Sequence, residues 1–574
     1  MIQKLKKLYA YIKYYGIKLF IYRVMEEKSK KSFDYQTWFK KHQVNSSTLK
    51  IQQSKVWEVE LRISVLVPLY NTNAEHLHVL IQSMKAQSYK HWELILADGS
   101  EDSTAIMNII SEYSTVDARI RYTKLPNNMG ISGNTNAAFH MASGDYIGLL
   151  DHDDFLEPDA LYCIVEAIQT THCDVVYTDE DKVSEDGTKY FRPTFKPDYN
   201  PFLLRSNNYI CHFFVFRKDL VQHNLVFDES YDGAQDYDLI LRVCEEAKLV
   251  KHIPRVLYHW RSSETSTSAN PFHKIYAYEA GRRAIQAHYQ RLQIMANVSN
   301  TRIPGYYEST FPIIGNPRIA IYILDPCDGI SSNVRKRIFC HGLSSKKETH
   351  IHKSLQLTDQ VMNTYNIGIH FIDHWTHTFI EAESYDYVVY LSSGCIPTGR
   401  TWLQNLLGIC QLEQVAVVGG KIVTSDHKIY SAGIHLNSDG RPRHLFHGLN
   451  SHFVGYRNRA ITMQNLSAVS GKFMMIKKDV YKLLGGFSVD YQESLWDVDF
   501  CLKVREAGYQ VVYQPHSIVK LHSTMRSISP EVNNEDLQFF HAKWKHYIID
   551  GDPYYNRNFS SRYADYTVHK MPAG

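Results

Sequence analysis

The residues best suited to chemistry form the segment Asp151-His152-Asp153-Asp154, three carboxylates in four positions directly after the apolar run Tyr146 to Leu150. An unpaired buried carboxylate is costly, so these side chains must meet water, a cation or a ligand. Hard oxygen donors suit Mg²⁺ or Mn²⁺, ions that commonly hold substrate phosphates as well. Two further aspartates stand at informative places. Asp98 stops the apolar run Trp92 to Ala97, and Asp236 opens a helix predicted to run to about Ala247. A helix N-terminus favours a charged carboxylate. His259 follows the run Ile253 to Tyr258. Taken singly, each has a plainer explanation: a solvated acidic loop, a turn residue, a helix cap and a satisfied core histidine.

The elements that must position these residues alternate. Ile63–Leu69, Trp92–Ala97, Ile120–Lys124 and Tyr146–Leu150 are predicted strands, separated by helices over Ala74–Gln87, Ser103–Tyr113 and Asn134–Met141. That alternation predicts a parallel sheet with crossover helices. Carboxylates at strand ends then lie where open α/β sheets bind ligands. No GxGxxG occurs, so a dinucleotide-binding reading has little support.

At 574 residues the chain exceeds one ordinary core. Hydrophobic residues make up 44% and charged residues 21%, a globular balance, and the formal net charge of +3 carries no bulk nucleic-acid signal. The nine cysteines form no CxxC, so neither a zinc module nor a redox pair is suggested, and the unpatterned set fits a reducing cytosol. No apolar run reaches eighteen residues, so no transmembrane helix is expected, and lysines interrupt the N-terminus too often for a signal peptide. Residues 1–31 are nevertheless basic, aromatic and amphipathic. Such a helix either lies on an anionic membrane or packs on the first domain with a solvated basic face.

The ordered motifs VPLYN, ADGS, GISGNTNAA, GDYIGLLDHDD, TDEDK, GAQDYDL and YHWR resemble those of the family 2 inverting glycosyltransferases with the GT-A fold, over roughly residues 61–290. The likeness is greatest to members that build bacterial cell-wall, capsular or O-antigen polysaccharides, rhamnose-containing polymers among them. The resemblance implies a nucleotide-sugar donor, dTDP-rhamnose or a UDP-hexose, and a divalent cation, Mn²⁺ or Mg²⁺. It implies that Pro68 and Tyr70 line the base pocket, Asp98 accepts from the base, and Asn136 holds the nucleotide near the cation. Asp151 and Asp153 become the DxD pair, Asp153 on the cation and Asp151 on the ribose or the cation's water shell. His259 approaches the metal or diphosphate, and Trp260 and Arg261 close over the diphosphate. Asp236 becomes the catalytic base. The family usually has Glu-Asp there, whereas this chain has Gln235-Asp236. Asp179, Glu180 and Asp181 either bind acceptor hydroxyls or pair structurally with Lys182 and Arg192.

Residues 318–525 repeat the pattern with losses. Ile319–Leu324 parallels the first strand, and Asp386–Leu391 parallels Asp145–Leu150, but Ser392-Ser393-Gly394 stands where the first copy has Asp151-His152-Asp153. Asp497 and His522 remain as a possible second site. The expected division is a connector over 1–60, a catalytic GT-A domain over 61–300, a degenerate GT-A-like domain over 301–530 and a tail over 531–574. The expected enzyme works on the inner face of the cytoplasmic membrane, on a lipid-linked polysaccharide acceptor. The alternatives are a two-site transferase using Asp497 and a non-catalytic carbohydrate-binding or assembly protein; a metal-dependent nuclease or nucleotidyltransferase ranks below them.

Overall fold

The computed structural model describes residues 33–221, 226–262, 275–324, 355–357, 365–372, 384–392, 394–437, 439–522, 532–560 and 563–568. The basic segment 1–31 lies outside these residues, as do Asp373 and Ser393.

The first sheet comprises β1 (Ile63–Leu69), β2 (Trp92–Asp98), β3 (Ile120–Lys124), β4 (Tyr146–Leu149), β5 (Phe155–Leu156), β6 (Val175–Ser184), β7 (Tyr190–Thr194), β8 (Phe214–Arg217) and β9 (Val250–Ser262). Its order is β3-β2-β1-β4-β8-β6-β9-β5, with β7 paired to β6. Strands β1 to β4 run parallel, and β8 is antiparallel to both β4 and β6. Both faces are covered, which is why the strands are continuous apolar runs rather than alternating ones. Helices Ala74–Lys85, Thr104–Ser114 and Ala160–Thr171 cover one face, and Gly130–Met141, Gln235–Glu246 and Ile275–Arg291 the other. Within the apolar run Tyr209–Phe216 the strand begins only at Phe214; Cys211 has positive φ and breaks the ladder before it.

A hairpin of β10 (Asn297–Asn300) and β11 (Tyr307–Thr310) leads to the second sheet. This contains β12 (Ile319–Leu324), β13 (Ile367–Ile372), β14 (Tyr387–Ser392), β15 (Cys395–Pro397), β16 (Val415–Thr424) and β17 (Ile429–Ser431). After a small hairpin of β18 (Ile434–Leu436) and β19 (Pro442–His444), it is completed by β20 (Gln464–Asn465), β21 (Phe473–Lys477) and β22 (Gln510–Leu521). Its order, β13-β12-β14-β21-β16-β22-β15, copies β2-β1-β4-β8-β6-β9-β5 strand for strand. The copy extends to side chains. The Arg62 N–H donates to Asp145 Oδ2 at 2.8 Å, and the Arg318 N–H donates to Asp386 Oδ2 at 2.8 Å.

The two halves are joined by buried amides. Asn200 Nδ2 donates to the Asn465 carbonyl at 2.9 Å, and the Asn465 N–H returns a bond to Asn200 Oδ1 at 2.9 Å. The short helix Pro201–Leu204 follows, and its Phe202 is inserted into the core of the second half. The C-terminal chain also crosses between halves: Phe540 and Trp544 pack in the second core, whereas Asn556 Nδ2 donates to Asp179 Oδ2 at 2.9 Å.

Candidate active site

The three carboxylates after β4 divide by direction. Asp154 turns inward and is 0% exposed. Its oxygens accept from the Tyr258 hydroxyl at 2.5 Å and from the Arg261 N–H at 2.7 Å. Burial, reinforced by the charges of Asp153 and Asp151, lifts its carboxyl well above the usual range. Asp151 and Asp153 remain partly exposed, and among the described residues no donor reaches the Asp153 carboxylate. Arg261 lies beneath this loop, donating from Nε to the Asp153 carbonyl at 2.7 Å and from Nη1 to the Glu185 carbonyl at 2.6 Å. Only 2% exposed, Arg261 anchors the acidic loop instead of closing over a diphosphate. Its neighbour Trp260 points to the opposite face of β9, edge-on to His212 with ring centroids 5.4 Å apart.

Two of the nucleotide-pocket expectations change. Asp98 is 0% exposed. It accepts from the Ser100 N–H at 2.9 Å, the Tyr122 hydroxyl at 3.0 Å and the Ser103 hydroxyl. Burial opposes its charge, but the Ser100 and Ser103 donors hold the carboxyl below its ordinary value. Asp98 therefore ties the loop after β2 together and presents no open acceptor to a base. Asn136 is likewise occupied: its Nδ2 donates to the Phe227 carbonyl and its Oδ1 accepts from the Phe227 N–H, both at 2.8 Å. Asn134, two residues earlier, packs against Gly99 so closely that a Cβ there would lie 2.6 Å from its Nδ2. Pro68 is half-buried in β1, and Tyr70 beyond it is exposed at the mouth of this loop.

Asp236 occupies the first turn of the helix Gln235–Glu246. Asn208 Nδ2 donates to its Oδ2 at 2.9 Å. Burial raises its carboxyl above the ordinary value; the positive charge of His212 works against this, and the negative charge of Asp151 adds to it. His212 lies between the Asp151 and Glu180 carboxylates. Its Nε2 lies 3.8 Å from Asp151 Oδ2 and its Nδ1 lies 3.4 Å from Glu180 Oε2. The ring stacks on Tyr258 at 4.6 Å. Nothing in the sequence marked His212, which sits in an apolar-looking run; its role follows from the side chains that surround it.

The acidic run on β6 also splits by face. Glu180 points to His212 and accepts from Lys196 Nζ at 3.0 Å. Burial opposes its charge, but Lys196 and His212 hold its carboxyl far below the usual range. Asp179 and Asp181 point away and are both 0% exposed. Asp179 binds His252 at 2.9 Å and Asn556, while Asp181 accepts from the Tyr35 hydroxyl at 2.7 Å. Both are enclosed and structural, but their partners are His252, Asn556, Tyr35 and His259 and not the expected Lys182 and Arg192. His259, expected near the metal, is 0% exposed and held between Asp181 at 2.6 Å and Glu157 at 3.0 Å. Both ring nitrogens are taken, and despite the opposing effect of burial these carboxylates raise its pKa to about 9. With both nitrogens bonded and the ring enclosed, His259 presents no free nitrogen to a cation here.

The family model of glycosyl transferase family 2 matches residues 64–225. Residues 64–225 form a family 2 glycosyltransferase domain. The match takes in β1 to β8 of the nine-stranded sheet, which has the GT-A fold and is followed in this chain by a second α/β half. The chain is 32% identical over 536 residues to a protein of Sinorhizobium fredii described as uncharacterized protein y4gI, covering 88% of this chain and 58% of that one. It is 25% identical over 531 residues to the O-antigen biosynthesis protein RfbC of Myxococcus xanthus, covering 89% of this chain and 41% of that one. The chain thus spans about half the length of these relatives. A solved structure of S. aureus TarS 1–349 in complex with UDP overlays 40% of this chain and 65% of that one, at 21% identity and a TM-score of 0.32. So loose an overlay adds nothing to the topology above.

Family 2 glycosyltransferases commonly depend on a divalent metal, and two places in this domain offer ligands. Glu180, Cys211 and His212 bring one ligand atom each within 4.8 Å of one another. That donor set includes a thiol, and the Lys196 ammonium already occupies the same Glu180 oxygen at 3.0 Å. It fits Mg²⁺ or Mn²⁺ poorly. Asp151 and Asp153 fit better: their oxygens are hard and partly exposed, and their backbone is held by Tyr258 and Arg261 behind them.

The second half keeps the sheet without this arrangement. Asp497 opens the helix Trp496–Glu506, but its oxygens accept from the Gly471 N–H at 2.7 Å and the Val498 N–H at 2.9 Å. Its carboxylate thus clamps two backbone segments. His522 is exposed, with its N–H bonded to the Gly394 carbonyl at 2.8 Å. Ser392 ends β14 where the first half continues into its acidic loop.

Proposed function

We propose that residues 61–300 carry out inverting transfer of a sugar from a nucleoside-diphosphate donor to a hydroxyl of a growing bacterial surface polysaccharide. One observation carries this reading. Asp236, with its raised carboxyl, shares a single electrostatic site with His212 and Asp151 at the carboxyl end of the sheet. Asp236 takes the proton of the acceptor hydroxyl while that oxygen bonds to the anomeric carbon from the face opposite the diphosphate. The bond between that carbon and the diphosphate oxygen breaks in the same displacement, inverting the centre. A base whose pKa lies above that of a free carboxylate is better matched to this task. Asn208 fixes its orientation. Asp151 and Asp153 would hold the Mn²⁺ or Mg²⁺ that neutralises charge on the departing diphosphate.

The printed name of the Myxococcus relative, an O-antigen biosynthesis protein, supports a polysaccharide acceptor. A dTDP-rhamnose or UDP-hexose donor, a lipid-linked acceptor and a station on the inner membrane face belong to the same reading. Among the described residues no helix is long and apolar enough to cross a membrane; the basic, aromatic character of residues 1–31 is what supports peripheral attachment through that segment. The second half, over 301–530, supports the first and binds no donor of its own.

The test is a donor screen with purified protein and Mn²⁺, read as release of nucleoside diphosphate. Wild type should turn over one donor, and Asp236→Asn and Asp153→Ala should each lose at least about a thousand-fold in kcat. Full turnover in both variants would overturn the assignment.

A further inference from the structure

The cluster that suits Mg²⁺ and Mn²⁺ poorly has the chemistry of a different cation. Glu180, Cys211 and His212 each bring one ligand atom within 4.8 Å of the other two. A thiol, an imidazole and a single carboxylate are donors that select zinc over the hard ions. Glu180 lies in β6, and Cys211 and His212 stand just before β8, which pairs with β6. The separations approach those of a metal site. Zinc bonds of about 2.0–2.3 Å put tetrahedral neighbours about 3.3–3.7 Å apart. His212 Nδ1 lies 3.4 Å from Glu180 Oε2, and Cys211 Sγ lies 3.7 Å from Nε2 of the same ring.

Three further features point to a ligand here. His212 Nδ1 is buried, and among the described residues it makes no hydrogen bond, since its 3.4 Å approach to Glu180 lacks the alignment of one. A buried polar atom without a partner calls for an ion or a water. Glu180 is only 6% exposed, and Lys196 Nζ at 3.0 Å together with the His212 N–H at 3.2 Å fixes its carboxylate. Carboxylates that bind metals are commonly held by such partners. The Lys196 charge works against an ion bound through oxygen alone. A zinc held chiefly by sulfur and nitrogen needs only one of the carboxylate's roughly four lone pairs. Cys211 is half-buried, whereas every other described cysteine is buried, so a cation can reach its sulfur.

We propose that Glu180, Cys211 and His212 form a binding site for Zn²⁺, separate from the Asp151 and Asp153 pair, and that its occupation switches the transferase off. Binding breaks the Cys211 S–H bond: the proton leaves to solvent, and the sulfur lone pair goes to the cation. Three protein ligands leave the fourth position to water. The two sites are neighbours, since His212 Nε2 lies 3.8 Å from Asp151 Oδ2. A dication on His212 repels the one on Asp151 and immobilises the imidazole between them. The inhibition, unlike the zinc site itself, rests on the transferase reading.

The full chain, freed of metal by a chelator, is titrated with Co²⁺, whose tetrahedral thiolate complexes absorb by sulfur-to-metal charge transfer. Wild type should show that band at one Co²⁺ per chain, and Zn²⁺ should abolish it while excess Mg²⁺ does not. Cys211→Ser should lose the band, Glu180→Gln should bind Co²⁺ at least about ten-fold more weakly, and Asp153→Ala should keep the band. Cys211→Ser exchanges only sulfur for oxygen at a half-buried position, so it carries the test if Glu180→Gln, which breaks the buried pair with Lys196, disturbs folding. Turnover then reads the inhibition. With saturating Mn²⁺, Zn²⁺ should inhibit nucleoside diphosphate release by wild type at least about ten-fold more potently than by Cys211→Ser, each measured against its own zinc-free rate. A wild type without the band, or a band that survives in Cys211→Ser, would overturn the site. A band that depends on Cys211, with equal zinc sensitivity in both proteins, would overturn the switch. The band without turnover of any donor would instead overturn the transferase reading and leave the zinc site standing.

Discussion

Asn208 Nδ2 donates to Asp236 Oδ2 at 2.9 Å, and Asn208 stands a few residues after the Asn200–Phe202 segment that is bonded into the second half. The proposed base is thus oriented by a loop that the second sheet holds in place. A hydrogen bond to the ionised form of a carboxylate lowers its pKa. Asn208→Ala should therefore raise the Asp236 pKa further and move the acid limb of the kcat profile to higher pH. Turnover should fall about ten-fold while KM for the donor stays unchanged. A pH–rate profile of nucleoside diphosphate release checks this; an unmoved acid limb would show that Asn208 does not act on the base.

Arg261 is an anchor for the acidic loop, since its Nε holds the Asp153 carbonyl and its own N–H holds Asp154. Residues that orient metal-binding groups commonly contribute about 10–100-fold to metal affinity. Arg261→Ala is expected to raise the half-saturating Mn²⁺ concentration by about that factor. Excess Mn²⁺ should restore most of the turnover. The measurement is activity against Mn²⁺ concentration, with Asp153→Ala as the variant that metal cannot rescue.

His259 supplies a pH signature of stability. Its folded pKa of about 9 exceeds the ordinary value of 6.5, so the folded state binds its proton more tightly than the unfolded state does. The resulting stabilisation is complete below about pH 6.5 and is lost as pH rises through 9, a difference on the order of 3 kcal/mol. Urea midpoints for wild type should drop between these limits, and His259→Gln should flatten that decline. A wild-type midpoint constant across the window would refute a protonated His259.

Phe202 tests the junction. It belongs to the chain of the first half but is 0% exposed within the core of the second. Phe202→Ala should cost about 3–5 kcal/mol, seen as a lower urea midpoint. Since Asn208 follows six positions later, turnover should fall before global unfolding begins. Unchanged stability would mean that the two halves are not coupled through this segment.

Much of the fold is legible in the sequence because its signals are local. Apolar runs such as Ile63–Leu69 and Trp92–Ala97, each closed by turn-forming residues, announce strands buried on both faces. The repeated strand over Asp386–Leu391 announces the second sheet, whose order matches the first. Side-chain direction is the harder matter. On β9, successive residues face opposite ways: Tyr258 and Trp260 meet His212, while His259 and Arg261 enter the opposite layer. On β6, Glu180 and Lys182 face the cleft, while Asp179 and Asp181 do not. A motif names all of these residues alike.

By itself the sequence determined the order of the strands, the acidic loop after β4 and an aspartate at the first turn of a late helix. These depend on composition and spacing along the chain. Only the tertiary structure decided that Asp154, Asp179, Asp181 and His259 are enclosed by partners. It alone brought His212 between Asp151 and Glu180, and Asn200 against Asn465. The reason is physical: a strand's alternation has two possible senses, and the register against its neighbours selects one. Contacts between residues hundreds of positions apart exist only once both sheets have formed.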